Sequence, residues 1–303
     1  MAGQPNPSHK KEAELAGQPA SGHPIVVKIG GSTLGSHDTS LKDLVRLQEE
    51  GREVVVVHGG GNVISQWMQR QGLAPRFVGG LRVTDAPSLA LVVAVLGGLI
   101  NKELVSLMHE FGGKSVGLSG IDGCMVEAKI GNPELGFVGE ITSVNIDLIR
   151  TVLDSGYIPI ISPVGVHVRD GSENAGRPLN INGDTVAGEL AHALEAEQLV
   201  FLTDVAGVMD SGGRVIRRLD RRRANILFNS GVIQGGMIPK LSACLRALER
   251  SPVANIVDGR QPNALLDCVR GNSSGTTIVG GSRGRGSGGG GSGVGSPGNP
   301  RRP

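Results

Sequence analysis

Three glycine-rich turns in this chain are of the kind that meets an anion. The first is Lys28-Ile29-Gly30-Gly31-Ser32, the second His58-Gly59-Gly60-Gly61-Asn62 and the third Gly235-Gly236-Met237-Ile238-Pro239-Lys240. A glycine turn that opens a helix exposes bare backbone N–H groups, and the helix dipole adds partial positive charge at that end. Any single Gly-Gly pair is more often a tight turn with positive φ than a binding loop. Three such turns, two of them carrying a lysine, point together to phosphate handling. Lys28 adds weight because it interrupts an apolar run from Ile25 to Ile29 beside its glycines. Lys240 stands at the expected start of a helix, where the dipole disfavours a cation, so a merely structural role explains it poorly.

Two familiar phosphate fingerprints do not fit. The first run ends in Gly30-Gly31 with Gly35 beyond, which is not the GxGxxG of a dinucleotide-binding turn. Gly113-Lys114-Ser115 supplies the end of a Walker-type loop, but Met108 stands where its first glycine belongs. That segment reads as a loop before a strand. His58 precedes a glycine triplet, and a packed or turn-stabilising role suits it better than a catalytic one.

The elements that must hold these turns alternate in type. Ile25–Ile29 and Glu53–Val57 read as buried strands, followed by Ser115–Leu118, Ile158–Ile161, Leu199–Leu202, Asn255–Val257 and Thr276–Val279. Helical spacing marks Ser40–Glu50, Val63–Gln71, a long Leu-rich segment Ala86–Glu110, Asn145–Asp154, Thr185–Leu194, Arg221–Asn229 and Lys240–Arg250. Val54–Val57 is apolar without alternation, the mark of a strand covered on both faces. The expectation is an α/β three-layer sandwich with a mainly parallel central sheet. The folded body spans about 25–280, between a polar leader over 1–24 and a Gly/Ser/Arg-rich tail over 281–303.

Composition narrows the function classes. Hydrophobic residues make up 39% of the 303, enough for a substantial core, and with seven aromatics that core is aliphatic. Net charge is +2, and the tail alone carries four arginines and no acid, so the body has no nucleic-acid footprint. Three cysteines, Cys124, Cys244 and Cys268, are widely spaced with no CxxC, which fits a reduced, cytoplasmic protein without a zinc site. The longest apolar stretch, Leu89–Ile100, is shorter than the roughly 20 residues that span a bilayer and reads as a buried helix. The leader has no apolar segment of signal-peptide type.

Taken in order, the motifs resemble the acetylglutamate kinases of the amino-acid kinase family over nearly all of 25–280. They run Lys28-x-Gly30-Gly31, His58-Gly59-Gly60-Gly61, Gly80-Leu81-Arg82-Val83-Thr84-Asp85 and Asn101-Lys102. Then come Gly136-Phe137-Val138-Gly139, Asn180-Ile181-Asn182-Gly183-Asp184, Leu202-Thr203-Asp204-Val205 and the Gly235–Lys240 turn. No single motif is decisive; the ordered set is. The resemblance implies an amino-acid kinase fold and transfer of the γ-phosphoryl group of ATP to the side-chain carboxylate of N-acetyl-L-glutamate, a step of arginine biosynthesis. The residues suit that chemistry. A carboxylate nucleophile with a reference pKa of about 4.3 needs no general base at neutral pH, so the work is positioning and charge neutralisation.

The resemblance also implies roles. Lys28 and Lys240 would bracket the transferring phosphoryl group, and Asp184 would orient both lysines by charge pairing. A competing role for Asp184 is to cap a helix starting at Thr185. Gly30, Gly31 and Gly60 would give N–H groups to phosphate oxygens, and Gly60 and Gly61 would approach the substrate. Arg82 would clamp a substrate carboxylate, Asn180 would hydrogen-bond the acetamido or α-carboxylate end, and Asn182 would fix its loop. Thr203 and Asp204 would line the nucleotide site, with the 209–213 loop near adenine or ribose. Mg²⁺ is expected with ATP, held by phosphate oxygens and water and by no assigned side chain.

The part over about 25–178 would bind substrate and dimerise, and that over about 179–280 would bind nucleotide. Gly183 departs from the alanine common in that motif. The leader lacks the aromatic amphipathic helix of arginine-inhibited relatives, which favours a homodimer with weak or no arginine feedback. Partnership with a nitrogen-signalling protein, which some relatives have, is a trait no motif here decides. Alternative readings are a kinase for another carboxylate, such as aspartate or an aminoadipate derivative, and a catalytically inactive regulatory subunit. A nucleic-acid binder resting on the tail alone is a weaker one.

Overall fold

A computed structural model describes residues 22–30 and 38–280. The expectations for the leader before Gly22 and for the tail from Gly281 fall outside the described residues, as does Gly31. In chain order the strands are β1 (Ile25–Ile29), β2 (Val54–His58), β3 (Phe77–Val78), β4 (Leu81–Arg82), β5 (Ser115–Ser119), β6 (Val126–Ile130) and β7 (Gly139–Val144). They continue with β8 (Ile158–Ser162), β9 (Val164–His167), β10 (Pro178–Asn180), β11 (Gln198–Thr203), β12 (Arg218–Asp220), β13 (Val253–Asp258) and β14 (Thr276–Val279). The helices are α1 (Asp38–Glu49), α2 (Gly61–Arg70), α3 (Ala86–Glu110), α4 (Asp147–Asp154), α5 (Gly183–Ala193), α6 (Arg221–Asn229), α7 (Met237–Ala247) and α8 (Ala264–Val269).

The valine run decides the architecture. Val54 to Val57 are all buried, so both faces of β2 are covered. Alternate side chains of the central strands enter two separate cores. Val26, Val55, Val57, Leu199 and Phe201 pack with α4, α5 and α7 on one face. Ile25, Val27, Val54, Val56 and Val200 pack with α1, α2, α3 and α8 on the other. Helices on both faces of one sheet make the three layers the sequence predicts. The sheet has eight strands in the order β12-β14-β13-β11-β1-β2-β8-β5. Only the β13–β14 pair is antiparallel. The sheet runs without a break across residue 178, because β1 lies between β2 and the much later β11.

A second sheet, β10-β9-β6-β7, and a short hairpin, β3–β4, are additions the sequence reading lacks. Val78 pairs with Leu81, so the hairpin turn is Gly79-Gly80, both with positive φ. That geometry suits a two-residue turn whose central residues lie in left-handed conformations. A Gly-Gly pair between Phe77-Val78 and Leu81-Arg82 was the signal for it. Isolated bridges Val138–Asn180 and Thr84–Gly136 fasten the small sheet to the segment that follows β4.

The long helix α3 is one continuous element, but its middle, Ala94–Ile100, is wound as a π-helix. By length and composition it could cross a bilayer, yet Val92, Val95, Leu96, Ile100, Leu104 and Met108 along it are packed in the second core. Ala90, Ala94, Gly98 and Leu99 lie exposed on its outer side.

Candidate active site

In a parallel sheet the loops at the carboxyl ends of the strands gather at one rim, and ligands bind there. β11, β1 and β2 are neighbours, so Thr203-Asp204, Gly30 and the His58–Gly61 turn meet at that rim. The Gly30 N–H donates to the Leu202 carbonyl at 2.9 Å, tying two of these loops together. Its N–H is therefore occupied within the fold, which corrects the expectation that it donates to a phosphate. Thr203 is buried, with its hydroxyl 3.3 Å from the Asp204 carboxylate.

Lys28 shares the parity of Val26, so it projects onto the face covered by α5 and is itself buried. The start of α5 supplies its partner. Asn182 caps that helix, its Oδ1 accepting from the N–H groups of Asp184 at 2.8 Å and Thr185 at 3.1 Å. The cap therefore lies two residues before Asp184, and the Asp184 carboxylate is left for the lysines. Lys28 Nζ stands 2.8 Å from Asp184 Oδ1, and Lys240 Nζ 3.1 Å from Oδ2. Both contacts are ion pairs, and the one from Lys240 is also a hydrogen bond. Burial opposes charge on Asp184, but the Lys28 and Lys240 ammoniums overcome it and hold the carboxyl below the usual carboxylate range.

Lys240 reaches this point because α5 and α7 touch closely. A Cβ on Gly188 would lie 2.8 Å from the Ala243 side chain. Lys240 is the fourth residue of α7, which begins at Met237, three residues before the expected start. Pro239 is tolerated there because first-turn N–H groups need no intrahelical partner. The three charged groups sum to one net positive charge.

An open cleft of about 220 Å³ adjoins this cluster. Lys28, Gly60, Gly61, Arg82, Asn180 and Asp184 all line it. Lys240 meets it through Asp184, whereas Gly30, Thr203 and Asp204 do not line it. The Gly60 N–H has no hydrogen-bond acceptor among the described residues. Leu96 and Ile100 of α3 press on Gly60 so closely that a Cβ there would collide with both. Only glycine fits.

Arg82 is buried and has no carboxylate partner among the described residues. Its Nη2 donates to the Gly61 carbonyl and the Ser65 hydroxyl, both at 2.8 Å, and its guanidinium stacks on Phe77 at 4.8 Å. Burial pushes its pKa down. A buried cation without an acid is costly, and an anionic ligand offsets that cost. Asn180 Nδ2 donates to Thr84 Oγ1 at 3.0 Å, which orients its amide at the cleft wall. His58 is fully buried behind the rim, in the packed position expected of it. Phe77, Ser65 and the α3 residues over Gly60 were not among the expected site residues; the Gly79-Gly80 hairpin was the clue to the first.

Gly183, the first residue of α5, has room for a side chain. A Cβ there would meet the His58 carbonyl and Pro163 at 3.5 Å and Lys28 Cε at 3.6 Å, ordinary van der Waals distances. Gly183→Ala is expected to keep its activity and gain about 0.4–1 kcal/mol by stiffening the unfolded chain. A thermal melt and a kcat measurement check this; a lower kcat would mean the methyl displaces Lys28.

A mainly parallel eight-stranded sheet with two lysines on one aspartate at its rim, beside a glycine loop, is an apparatus for phosphoryl groups. The chain belongs to the amino acid kinase family, which matches residues 23–258. Within that family it is similar to acetylglutamate kinases. The one from Dehalococcoides mccartyi is 44% identical over 260 residues, covering 86% of this chain and 96% of that one. The one from a Nostoc species is 43% identical over 272 residues, covering 87% and 90%. Among solved structures, an N-acetylglutamate synthase from Neisseria gonorrhoeae, complexed with coenzyme A and N-acetyl-glutamate, superposes with a TM-score of 0.74 at 25% identity. That match covers 90% of this chain and 63% of the synthase.

Proposed function

We propose that this chain is an ATP-dependent kinase that phosphorylates the side-chain carboxylate of N-acetyl-L-glutamate to N-acetyl-L-glutamyl 5-phosphate in arginine biosynthesis. The observation that carries the reading is the single cleft in which the Lys28–Asp184 pair, the Gly60-Gly61 turn and the unpaired Arg82 converge. Arg82 and Asn180 hold the α-carboxylate and acetamido end. That leaves the side-chain carboxylate near Lys28, where a transferring phosphoryl group gathers negative charge. Lys28 and Lys240 neutralise that charge, and Asp184 keeps both ammoniums in place before the reaction, which is where preorganised electrostatics gains most. Thr203 and Asp204, on the far side of β1 from the cleft, suit the nucleotide.

Mg²⁺ fits this arrangement as an ion carried by ATP. Both Asp184 oxygens face lysines, and the described residues contain no cluster of three or more His, Cys, Asp or Glu. The ion would be held by phosphate oxygens and water and would supply charge screening on the phosphates. The part over about 25–178, joined at its cleft by Asn180 and the start of α5, takes the acyl amino acid, and the rest of the part over about 179–280 takes the nucleotide. A homodimer suits the exposed apolar side of α3, and a cytoplasmic setting suits three free thiols.

The test is a hydroxylamine trap of the acyl phosphate with MgATP, comparing N-acetylglutamate, glutamate, aspartate and aminoadipate. Hydroxamate formed fastest from N-acetylglutamate supports the reading, and preference for another acceptor replaces it. Arg82→Lys keeps the charge but loses the planar fork. It is expected to raise the KM for N-acetylglutamate about 10- to 100-fold, the worth of a charged hydrogen bond of roughly 1.5–3 kcal/mol. Calorimetry should find ATP affinity unchanged; weakened ATP binding would place Arg82 in the other pocket.

A further inference from the structure

The Asn101-Lys102 pair lies outside the cleft, yet it is built into the site's support. Asn101 and His58 are both completely buried. Asn101 follows the π-wound stretch of α3 directly, and its Nδ2 meets three acceptors. They are the Ile160 carbonyl at 2.8 Å, the Leu118 carbonyl at 3.2 Å and His58 Nε2 at 3.3 Å. Lys102 Nζ donates to Asn101 Oδ1 at 3.0 Å and to the Gly117 carbonyl at 2.9 Å. The orientation of the Asn101 amide follows. Two main-chain carbonyls require its NH₂ group, and an ammonium requires its oxygen. His58 Nε2 faces that NH₂ group, whose two hydrogens it shares with the two carbonyls, and so it accepts. The ring proton sits on Nδ1, which donates to the Gly59 carbonyl at 2.8 Å.

A peptide bond is planar and trans, so its C=O and N–H point in opposite directions. The Gly59 carbonyl and the Gly60 N–H belong to the same peptide. Fixing one fixes the other, and the Gly60 N–H points away from the buried ring. We propose that Asn101, oriented by Lys102, is a positioning residue for phosphoryl transfer, acting through His58 to hold the Gly59–Gly60 peptide with its N–H available to the anion in the cleft.

Two further observations agree. Burial lowers the His58 pKa to about 4 against the Gly59 hydrogen bond, with Lys28 and Lys102 adding to the burial, so the ring is neutral at physiological pH. Gly117 lies under the pair, and a Cβ there would run into Asn101 Oδ1, with Lys102 Nζ 2.7 Å away. The strand thus leaves space for these two side chains. The inference deepens the proposed kinase reading and rests on it.

The experiment uses the full chain in the hydroxylamine assay with N-acetylglutamate and MgATP, with a thermal melt of each variant. Asn101→Ala is expected to lower kcat about 10- to 100-fold, the scale of a misplaced reacting group, while the KM for ATP stays within about twofold. His58→Asn puts an amide nitrogen near the Nδ1 position but gives up the contact with Asn101, so its kcat should fall between those of the wild type and Asn101→Ala. His58→Gln reaches the Nε2 position instead, loses the bond to Gly59 and should behave like Asn101→Ala. A purely structural role predicts lower melting temperatures with kcat unchanged and no difference between Asn and Gln at residue 58. Either outcome overturns the proposal. If Asn101→Ala does not fold, Lys102→Met removes the group that orients the amide from an exposed position, and the same fall in kcat is expected. Active wild type with unchanged variants overturns this inference alone. A wild type that forms no hydroxamate overturns the kinase reading as well.

Discussion

Asp184→Asn is expected to remove almost all turnover, by about 10²–10³-fold or more, and to lower stability as well. The carboxylate is the shared counter-charge of two lysines, one buried with it on β1 and one arriving on α7. An amide keeps the shape but leaves Lys28 as an uncompensated buried cation. Breaking such a pair by removing one partner costs roughly 3–5 kcal/mol. The catalytic loss follows from the same event, because both ammoniums then lose their fixed position over the reacting group.

The pH dependence has a definite sign. Asp184 has its folded pKa depressed. Its contribution is therefore present above the unfolded value, about 4, and is lost as the pH falls through the folded one. Melting curves from about pH 7 down to about pH 3 should show a gap between wild type and variant that narrows only in acid. A gap independent of pH would mean that the carboxylate's charge does not stabilise the fold.

Lys240→Ala is expected to lower kcat by about 10²–10³-fold while the protein stays folded, the scale of removing one preorganised charge donor. The side chain is partly exposed at the start of α7, and Asp184 keeps its Lys28 partner. The fold therefore has little to lose. Steady-state kinetics and circular dichroism together decide the matter. A folded variant with wild-type kcat would assign Lys240 to anchoring Asp184 alone. In the double variant Asp184→Asn/Lys240→Ala, the losses should be far from additive, because the residues act as one unit.

What the residues disclosed in advance follows from how local each signal is. Val54–Val57 announced a strand buried on both faces, and β2 is that strand. Lys28 stood out because a charge in an apolar run demands a partner. Its partner, 156 residues later, was reached through family resemblance and not through any local pattern. The rival reading of Asp184 as the helix cap had a physical basis. Asn182 and Asp184 can both accept helix N–H groups, and only the Asp has a charge that the lysines compete for. The small sheet was hidden because its strands are only three to six residues long: β7, Gly139–Val144, mixes polar and apolar residues without a period, and the alternation of Val126, Ala128 and Ile130 with Glu127 and Lys129 in β6 is too short to stand out. The π-winding of Ala94–Ile100 leaves the helical pattern of α3 intact and has no composition signature beyond Gly97-Gly98. Arg82 was legible as a motif, but its support by Ser65, Gly61 and Phe77 depends on a hairpin and a helix meeting in space.

The placement of β1 between β2 and β11 sets the order of assembly on the ribosome. β2 emerges soon after β1 and can pair with it at once. The other edge of β1, with the backbone around Lys28, has no partner until residue 203 has left the tunnel. At about 5–20 residues per second this interval lasts on the order of 10–30 s. Throughout it the nascent chain presents an apolar strand edge, Ile25 to Ile29, of the kind that templates aggregation. Lys28 sits within that edge, a charge with no counter-ion until Asp184 emerges, and a charge on an open edge discourages pairing between chains. The lysine that pairs with Asp184 in the finished fold thus also guards the unfinished sheet while the chain is being made.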